Sequence, residues 1–418
     1  MGIQPTPKNT VVMKFGGTSV GSVERIDKVA ERVIEQIKSE GRFVVVVVSA
    51  MSGETDRLIN LGRAVSGGSM PPREYNHLAT AGEQVSSALV AMALLRKGQE
   101  ARSLLAHQLQ LCTREFYGQN LISQINVDHL RSMLIDGIVP VVAGFQGIDE
   151  KGDLTTLGRG GSDTTAVALA AALGSCDCHI YTDVDGVYTT VPSVCRNAKK
   201  LPYLSFEEML ELASGGAKVL HTRSVSLAYR YRVPLLVCSS FEHVDGTRIV
   251  EEYPGMENSV VSGITFKTGE ARITIRDMPD KPGTAAELFH KISELGVIVD
   301  MIVQSRGQDG KAEISFTIPE ESADTTLRGI EDLIARGMQG ARLELDRSIA
   351  KISVVGEGMR THAGTASQMF EVLSREGINI ELITTSEVKI SVAINQKYVE
   401  LAVRALHEHF IEAKDKQD

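Results

Sequence analysis

The sequence predicts an α/β protein in which helices cover both faces of a mostly parallel sheet, followed by two smaller modules. Two observations support this prediction. Strand-like and helix-like patterns alternate through about the first 240 residues, and this alternation is typical of a three-layer α/β/α sandwich. Beyond residue 260 a segment of the sequence occurs twice, which indicates two copies of one module.

The first three elements have the clearest patterns. Residues 11–15 are mainly apolar, and residues 43–48 are apolar without alternation, as expected of a parallel strand that is buried on both faces. Between them, apolar residues recur with a helical period that starts after Ser22, a suitable N-cap, and ends at Gly41. The alternation continues with further predicted helices at 74–97 and 164–173 and strands at 138–142, 179–181 and 234–237.

The repeated segment is 283–305, which recurs as 364–386 with eight of 23 positions identical. The first copy predicts a strand at 272–276, a helix at 285–295 and a strand at 297–303. Two copies with βαββ character predict paired ferredoxin-like modules.

These patterns divide the chain into five segments. We expect a disordered tail at 1–10, a large α/β domain at 11–250, a linker at 251–260, and modules at 261–346 and 347–418. The division leaves open whether strands are exchanged between the two modules.

Composition excludes several classes of protein. The formal net charge of -9 argues against a broad surface for nucleic acid, and the longest apolar runs are too short to cross a membrane. Of the five cysteines only Cys176 and Cys178 are close in sequence, so we expect reduced thiols, no dedicated metal site and a cytoplasmic location.

A first candidate loop, residues 14–19, follows the first predicted strand. Lys14 precedes Gly16 and Gly17, and Thr18 follows them, so the loop is not a Walker A motif. Glycines still allow backbone N–H groups to approach phosphate oxygens while the lysine neutralises charge. A tight turn with a surface lysine is the alternative.

A second loop, residues 49–56, follows the apolar strand. Its hydroxyl groups, including those of Ser49 and Thr55, and the following helix N-terminus suit an anion. A plain strand-to-helix connection with Thr55 as the N-cap fits equally well.

A third loop, residues 155–165, precedes an alanine-rich helix. It contains Arg159, Gly160, Gly161, Ser162 and Asp163, and the aspartate stands where a dinucleotide fingerprint requires glycine. An arginine fork beside a helix N-terminus is suited to a carboxylate or phosphate. A solvated turn is the alternative.

Other polar residues are ambiguous by themselves. Taken alone, Glu83 fits a first-turn acid better than a ligand. Thr182 and Asp183 fit a plain turn, and Lys218 has no distinctive context.

Together these motifs resemble the aspartate kinase family over nearly all of the chain after the first ten residues. The shared motifs, in order, are K-F-G-G-T-S, S-A-M-S-G-x-T, T-A-G-E, V-A-G-F-Q-G, T-L-G-R-G-G-S-D-T-T and T-D-V-D-G-V-Y. The resemblance implies transfer of the ATP γ-phosphoryl group, with Mg²⁺, to the side chain of L-aspartate. This reaction is the first step towards lysine, threonine and methionine. Both substrates would bind at the carboxyl ends of the strands, in a catalytic domain at 11–250.

The resemblance also implies roles for individual residues. Lys14 would contact the transferring phosphoryl group, and Lys14 and Asp163 would be the catalytic residues. Glu83 would bind the ammonium of aspartate and Arg159 its α-carboxylate. The remaining substrate residues are Ser49, Thr55, Gly160, Gly161 and Ser162, and the remaining nucleotide residues are Gly16, Gly17, Thr18, Thr182, Asp183, Tyr188 and Lys218.

One departure from the family concerns the nucleotide side. The family usually continues Y-T-x-D-P-R, whereas this chain has Val191 and Ser193 in place of the acid and the arginine. The resemblance therefore implies weaker ATP binding at this edge.

The repeated modules resemble tandem ACT modules, which bind amino acids at their interfaces and commonly pair across subunits. We expect feedback inhibition by lysine, threonine or both, in a homodimer or homotetramer. The matching effector positions are Asp280, Gly283, Thr284, Ala285, Val299, Asp300, Gln304, Asn379, Ile380, Ser386 and Glu387. Met256 lies where some relatives begin a separate regulatory chain.

Two other functions remain open from sequence. One is a related kinase for another acid such as acetylglutamate, against which Glu83 argues because an acylated substrate has no ammonium. The other is a catalytically inactive amino-acid sensor, against which the intact Lys14, Arg159 and Asp163 argue.

Overall fold

The computed structural model describes residues 4–116, 118–217, 219–253, 260–307, 310–338, 340–360 and 364–413. These residues divide into two compact units. The first contains the described residues of 4–187, 200–214 and 219–253, and the second contains 188–199, 215–217 and the described residues from 260 onward.

The first unit is built on an eight-stranded and a four-stranded sheet, with strand orders β10-β12-β11-β9-β1-β2-β6-β3 and β5-β4-β7-β8. Its strands are β1 Thr10–Phe15, β2 Phe43–Val48, β3 Ala101–Leu104, β4 Cys112–Phe116, β5 Gln119–Gln124, β6 Val139–Ala143, β7 Gln146–Ile148, β8 Leu154–Thr156, β9 Asp177–Thr182, β10 Tyr203–Ser205, β11 Leu235–Ser239 and β12 Thr247–Val250.

Six neighbouring strands of the large sheet, from β11 to β3, run parallel. Only β12 is antiparallel to its neighbour β11, with β10 parallel to β12. The prediction of a mostly parallel sheet is confirmed. The valines 44–48 of β2 are buried on both faces, which explains their lack of alternation.

Helices cover both faces of this sheet. They are α1 Val23–Glu40, α2 Glu54–Ser66, α3 Pro72–Ala79, α4 Ala81–Arg96, α5 Asp128–Ile135, α6 Gly161–Ala172, α7 Phe206–Ser214 and α8 Thr222–Tyr231. Val11, Met13 and Phe15 of β1 pack in one core with α1 and α4. The next residue on the opposite face of β1, Lys14, reaches α6 instead, so the predicted three-layer sandwich is confirmed.

The ends of α1 also agree with the sequence. The Ser22 hydroxyl accepts a hydrogen bond from the Arg25 N–H at 3.3 Å, and Gly41 adopts φ of 64° at the C-terminal end. Both features are standard helix ends.

Two predictions for the first unit require correction. The helix predicted at 74–97 is broken at Thr80, whose hydroxyl donates to the carbonyl of Asn76 at 2.8 Å. β1 already begins at Thr10, and Thr6 and Asn9 form a hydrogen-bonded turn, so the predicted tail does not extend through residue 10. Residues Pro72–Arg96 are together long and apolar enough to cross a membrane, but 56% of their apolar 18-residue stretch is buried within the protein.

The second unit forms one six-stranded sheet with strand order β14-β15-β13-β16-β18-β17. Its strands are β13 Gly263–Pro279, β14 Ile302–Arg306, β15 Lys311–Pro319, β16 Arg342–Val355, β17 Ile380–Thr385 and β18 Lys389–Asn395, and its helices are α9 Thr284–Glu294, α10 Ala323–Gly337, α11 Thr365–Arg375 and α12 Val399–His407.

The two central strands belong to both modules. Residues 272–276 of β13 pair with 342–346 of β16 beside the first module, and residues 263–267 pair with 351–355 beside the second. Each module has its own apolar core. The strand predicted at 297–303 lies farther along the chain, at 302–306, and the predicted linker falls largely on residues 254–259, outside the described residues.

Candidate active site

Lys14 lies near the carboxyl end of the central strand β1. Its side chain is directed away from the core formed with α1 and α4, and the residue is only 8% exposed. Its ammonium nitrogen lies 2.6 Å from a carboxylate oxygen of Asp163, in the first turn of α6. The ion pair therefore holds the lysine in a defined position at the edge of the sheet where strands end.

The glycine loop after Lys14 packs closely against two neighbouring segments. The Gly16 N–H donates to the carbonyl of Tyr181 at the end of β9, at 3.1 Å, and the Ser52 N–H donates to the carbonyl of Gly17 at 3.2 Å. A Cβ atom on Gly17 would lie 2.7 Å from the carbonyl oxygen of Ala50. Only glycine fits at Gly17, and the loop is thereby fixed beside Thr182, the last residue of β9.

A cleft of about 620 Å³ lies next to the Lys14–Asp163 pair. Nine residues that the sequence analysis assigned to catalysis or substrate binding line this one cleft: Lys14, Ser49, Thr55, Glu83, Arg159, Gly160, Gly161, Ser162 and Asp163.

Glu83 is, besides Asp163, a second buried acid of this cleft. The residue is 4% exposed, and one carboxylate oxygen, Oε2, has no hydrogen-bond partner among the described residues. Burial raises the pKa of Glu83 to about 7, although backbone N–H groups of Ala50 and Glu83 act in the opposite direction. A buried carboxylate with a free oxygen is suited to a cation.

Arg159 supplies the opposite charge. It lies in the turn before α6, where Gly160 adopts φ of 68° and caps the helix. The side chain is exposed and has no ion-pair partner within the described part of the chain. Among the described residues, the cleft thus contains a lysine paired with Asp163, a Glu83 oxygen without a hydrogen-bond partner and an Arg159 guanidinium without an ion-pair partner.

Comparison with known proteins identifies the family. Residues 9–239 match the amino acid kinase family, and residues 272–337 and 352–410 match ACT domains. The chain is 50% identical over 402 residues to the aspartate kinase of Stutzerimonas stutzeri (strain A1501), covering 96% of this chain and 97% of that relative. The chain belongs to the aspartate kinase family.

Solved aspartate kinases have the same fold. The structure of E. coli aspartokinase III in complex with aspartate and ADP (R-state) superimposes with a TM-score of 0.81 at 25% identity, covering 96% of this chain and 99% of that one. The complex of the same enzyme with lysine and aspartate (T-state) gives a TM-score of 0.76 at 25% identity, covering 97% and 100%. The resemblance drawn from the motifs is therefore confirmed.

Arg223 supports the loop that contains Arg159 in this member of the aspartate kinase family, and the sequence did not predict it. Arg223, at the start of α8, donates to the carbonyls of Leu157 and Asn120, both at 2.5 Å. A Cβ atom on Gly160 would lie 2.4 Å from Cβ of the neighbouring residue His221. Both contacts join segments far apart in sequence, so no local motif marks Arg223.

The cleft also contains side chains that were not assigned beforehand. Phe145, Tyr75 and Thr156 line it together with the predicted residues. Phe145 adopts φ of 68°, unusual for an aromatic residue, and a Cβ atom on Gly161 would lie 2.7 Å from its ring. The V-A-G-F-Q-G motif contains Phe145 and was the available signal.

Some predicted nucleotide residues are not part of the cleft lining. Gly16, Gly17, Thr18, Thr182 and Asp183 lie at the strand ends next to it. Tyr188 belongs to the second unit, and Lys218 lies outside the described residues. Thr55 is not a helix cap, because α2 begins at Glu54 after Gly53.

The predicted effector positions are only partly assembled within one chain. Asp280, Gly283, Thr284, Ala285 and Gln304 line a cavity of about 340 Å³ in the first ACT domain. The six that do not line it are Val299, Asp300, Asn379, Ile380, Ser386 and Glu387. Asp300 already forms an ion pair with Lys351, a lysine that is 5% exposed.

Proposed function

We propose that this protein is an aspartate kinase, which transfers the γ-phosphoryl group of ATP to the β-carboxylate of L-aspartate and releases 4-phospho-L-aspartate and ADP. The observation that carries the proposal is the single cleft that contains Lys14, Glu83 and Arg159 in a member of this family. Aspartate offers one ammonium and two carboxylates, and the cleft has complementary charges for the ammonium and the α-carboxylate.

The uncompensated charges of the cleft support a specific orientation of the substrate. The free Oε2 of Glu83 accepts a hydrogen bond from the substrate ammonium, and Arg159 binds the α-carboxylate in two places. Ser49, Thr55, Ser162 and the glycine pair Gly160–Gly161 provide hydroxyl and backbone groups around it. This orientation directs the β-carboxylate towards Lys14.

The reaction needs no general base, because the β-carboxylate is already ionised at neutral pH. One of its oxygens forms a bond to the γ-phosphorus while the bond from that phosphorus to the β,γ-bridging oxygen breaks, and ADP leaves with the electron pair. Lys14 neutralises negative charge on the transferring group. Asp163 holds the Lys14 ammonium in place, with its carboxylate oxygen 2.6 Å from the lysine nitrogen.

Mg²⁺ and the nucleotide are expected at the adjoining strand ends. The Asp163 carboxylate is the type of donor that Mg²⁺ prefers, and the ion would neutralise charge on the ATP phosphates. Gly16, Gly17 and Thr18, with Thr182 and Asp183, would surround the phosphates, since they lie at the carboxyl ends of β1 and β9. We propose that Tyr188 and Lys218 complete the nucleotide site, and that Val191 and Ser193 weaken it.

The decisive experiment is Lys14→Ala, assayed by ADP release with L-aspartate. Loss of a preorganised charge at the transferring group is expected to cost about 3 to 4 kcal/mol, or roughly a hundred- to thousand-fold in kcat. Lys8→Ala, which changes an exposed lysine just before β1, is the matched control and should keep full activity. Near-normal turnover of Lys14→Ala would contradict the proposal.

Substrate choice is tested in the same assay. We expect ADP release with L-aspartate and none above background with acetylglutamate. The acylated substrate has no ammonium and would leave the buried Glu83 carboxylate without a cation. Activity with acetylglutamate alone would establish the related kinase, and no activity with either acid would favour an amino-acid sensor.

We further propose that lysine, threonine or both inhibit the enzyme through the ACT domains. The cavity lined by Asp280, Gly283 and Gln304 supports an amino-acid site, and it lies beside the sheet edge formed by β14. β17, which begins with Ile380, forms the other edge. A second copy of the chain would cover these exposed edges and contribute the remaining predicted residues, in a homodimer or homotetramer.

Inhibition is tested by assaying the kinase with millimolar lysine and threonine, separately and together. Gln304→Ala should reduce the inhibition and leave uninhibited activity intact. Unchanged activity at all effector concentrations would contradict this part of the proposal without affecting the kinase assignment.

A further inference from the structure

A cluster of potential metal ligands, two buried and one partly exposed, lies in the second unit, away from the effector cavity. His407, the last residue of α12, is fully buried. Its Nδ1 atom lies 2.9 Å from Oε1 of Glu412 and 3.4 Å from Sγ of Cys195. Among the residues that the structure describes, this is the one place where at least three histidine, cysteine or acidic side chains bring their ligand atoms within 4.8 Å of one another.

A local irregularity of the backbone creates this arrangement. After α12 the chain continues as a π-helical turn, Glu408–Glu412. Glu412 is five residues after His407, and a turn with five-residue hydrogen bonding directs both side chains to the same side. Isolated π-turns of this kind are frequent at functional sites.

The distances are close to those around a tetrahedral metal ion. Zinc bonds of about 2.0–2.1 Å to nitrogen and oxygen and 2.3 Å to sulfur imply nitrogen–sulfur separations of about 3.6 Å and nitrogen–oxygen separations of about 3.3 Å. The observed 3.4 and 2.9 Å differ from these by a few tenths of an ångström. Little movement is therefore needed to admit the ion.

Outer groups already orient two of the three ligands. The Asn197 side-chain amide donates to Oε2 of Glu412 at 2.9 Å, which leaves Oε1 directed towards His407. The second ring nitrogen of His407 lies 2.8 Å from the hydroxyl of Thr189, which in turn accepts the Lys199 N–H. Partners of this kind fix the tautomer and orientation of metal ligands.

We propose that Cys195, His407 and Glu412 form a zinc site with one coordination position open to water or a fourth ligand. On binding, the Cys195 thiol loses its proton to solvent. The Nδ1 lone pair of His407 binds the ion, and the ring proton moves to Nε2, where it is donated to Thr189. One thiolate and one carboxylate neutralise the two charges of Zn²⁺.

The ligands of this site are far apart in the sequence, so no local motif marks them. Cys195 and His407 are separated by 212 positions, whereas the expectation of no dedicated metal site rested on the spacing of the cysteines alone. Residues 188–199 connect β9 to β10 in the chain, and they include Val191 and Ser193, where this protein departs from its family. Zinc would bind this segment to the last helix of the second ACT domain.

The test uses the full-length protein, freed of metal by a chelator and titrated with Co²⁺ as a spectroscopic probe. We expect one equivalent to bind with thiolate-to-cobalt charge-transfer absorption and the visible bands of tetrahedral Co²⁺, both abolished by adding Zn²⁺. Zinc uptake should also raise the melting temperature, because the ion binds the assembled site of the folded chain more tightly than it binds the unfolded chain.

Cys195→Ser replaces one atom, and should remove the charge-transfer band and weaken Zn²⁺ binding at least about a hundred-fold. Glu412→Gln should weaken binding while keeping the hydrogen bond to His407. The control is Cys112→Ser, which removes a cysteine in the first unit and should bind like the parent. A parent protein without charge-transfer absorption, or equal binding by Cys195→Ser and the parent, would overturn the proposal.

Discussion

Two buried glutamates in the first unit, Glu83 and Glu208, have very different surroundings. Glu208 is 0% exposed, and its Oε2 accepts hydrogen bonds from the Ser205 N–H at 2.9 Å and from the Tyr253 hydroxyl at 3.0 Å. The Ser205 hydroxyl accepts the Glu208 N–H at 3.1 Å, so the two residues form a capping box at the start of α7. Glu83 is nearly as buried, yet one of its oxygens has no partner among the described residues.

Burial of an acid therefore does not by itself identify a functional site. The Glu208 carboxylate is satisfied by its own fold and stabilises a helix end. The Glu83 carboxylate faces a cleft, and its pKa of about 7 shows that the folded protein bears a cost for ionising it. A substrate ammonium would remove that cost.

The largest expected effect is that of Glu83→Gln on catalysis. Removing one partner of a buried charge pair costs about 2 to 4 kcal/mol, so kcat/KM for aspartate should fall roughly 30- to 800-fold. Glu74→Gln, which changes an exposed acid in the preceding helix, should have little effect. Unchanged kcat/KM in Glu83→Gln would contradict a role of Glu83 in substrate binding.

The pH dependence of stability should distinguish Glu83 from a satisfied acid. Its pKa is raised from 4.5 to about 7 in the folded protein, so the unfolded chain ionises first as pH rises. Glu83 should therefore destabilise the substrate-free protein increasingly between pH 4.5 and 7, by up to about 3 kcal/mol above pH 7.

Urea denaturation of the parent and Glu83→Gln across this range measures the effect. The variant should have the same stability near pH 4 and become the more stable protein at pH 8. A constant difference between the two proteins at all pH values would contradict the origin of the effect in ionisation.

Glu208→Gln should show the opposite pattern, with loss of stability and normal catalysis. The amide can preserve only part of the capping arrangement, and leaving buried donors or acceptors unpaired costs about 1 to 3 kcal/mol. Denaturation measures the loss, while kcat/KM per folded molecule should match the parent. A selective fall in kcat/KM would instead place Glu208 in the function of the cleft.

The smallest effect should come from Arg223→Lys. A lysine cannot donate to the carbonyls of Leu157 and Asn120 together as the guanidinium does. Loss of one hydrogen bond, about 1 kcal/mol, should raise KM for aspartate several-fold through the Arg159 loop, with a smaller change in kcat. Arg230→Lys on the same helix is the control, and a loss of stability with unchanged KM would assign Arg223 a purely structural role.

The sequence predicted features that depend on neighbouring residues. The helical period after Ser22 predicted α1, and the apolar run predicted β2. The loops after the strands predicted the cleft, because parallel strands that end together bring their loops together. Features that depend on long-range contacts were missed. Arg223 meets residues 66 and 103 positions away, and Cys195 meets His407 across an even longer separation. The break at Thr80, which adopts φ of −88° and ψ of −6°, was missed because the apolar pattern continues on both sides of it.

The shared strands β13 and β16 have a consequence for protein engineering. In each strand, one half lies in the part of the sheet beside the first ACT domain and the other half in the part beside the second. A chimera that takes a single ACT domain from a relative would therefore combine half-strands of different origin at the centre of the sheet. The two domains should be transplanted as a pair, and recombination between related genes should preserve them as one block.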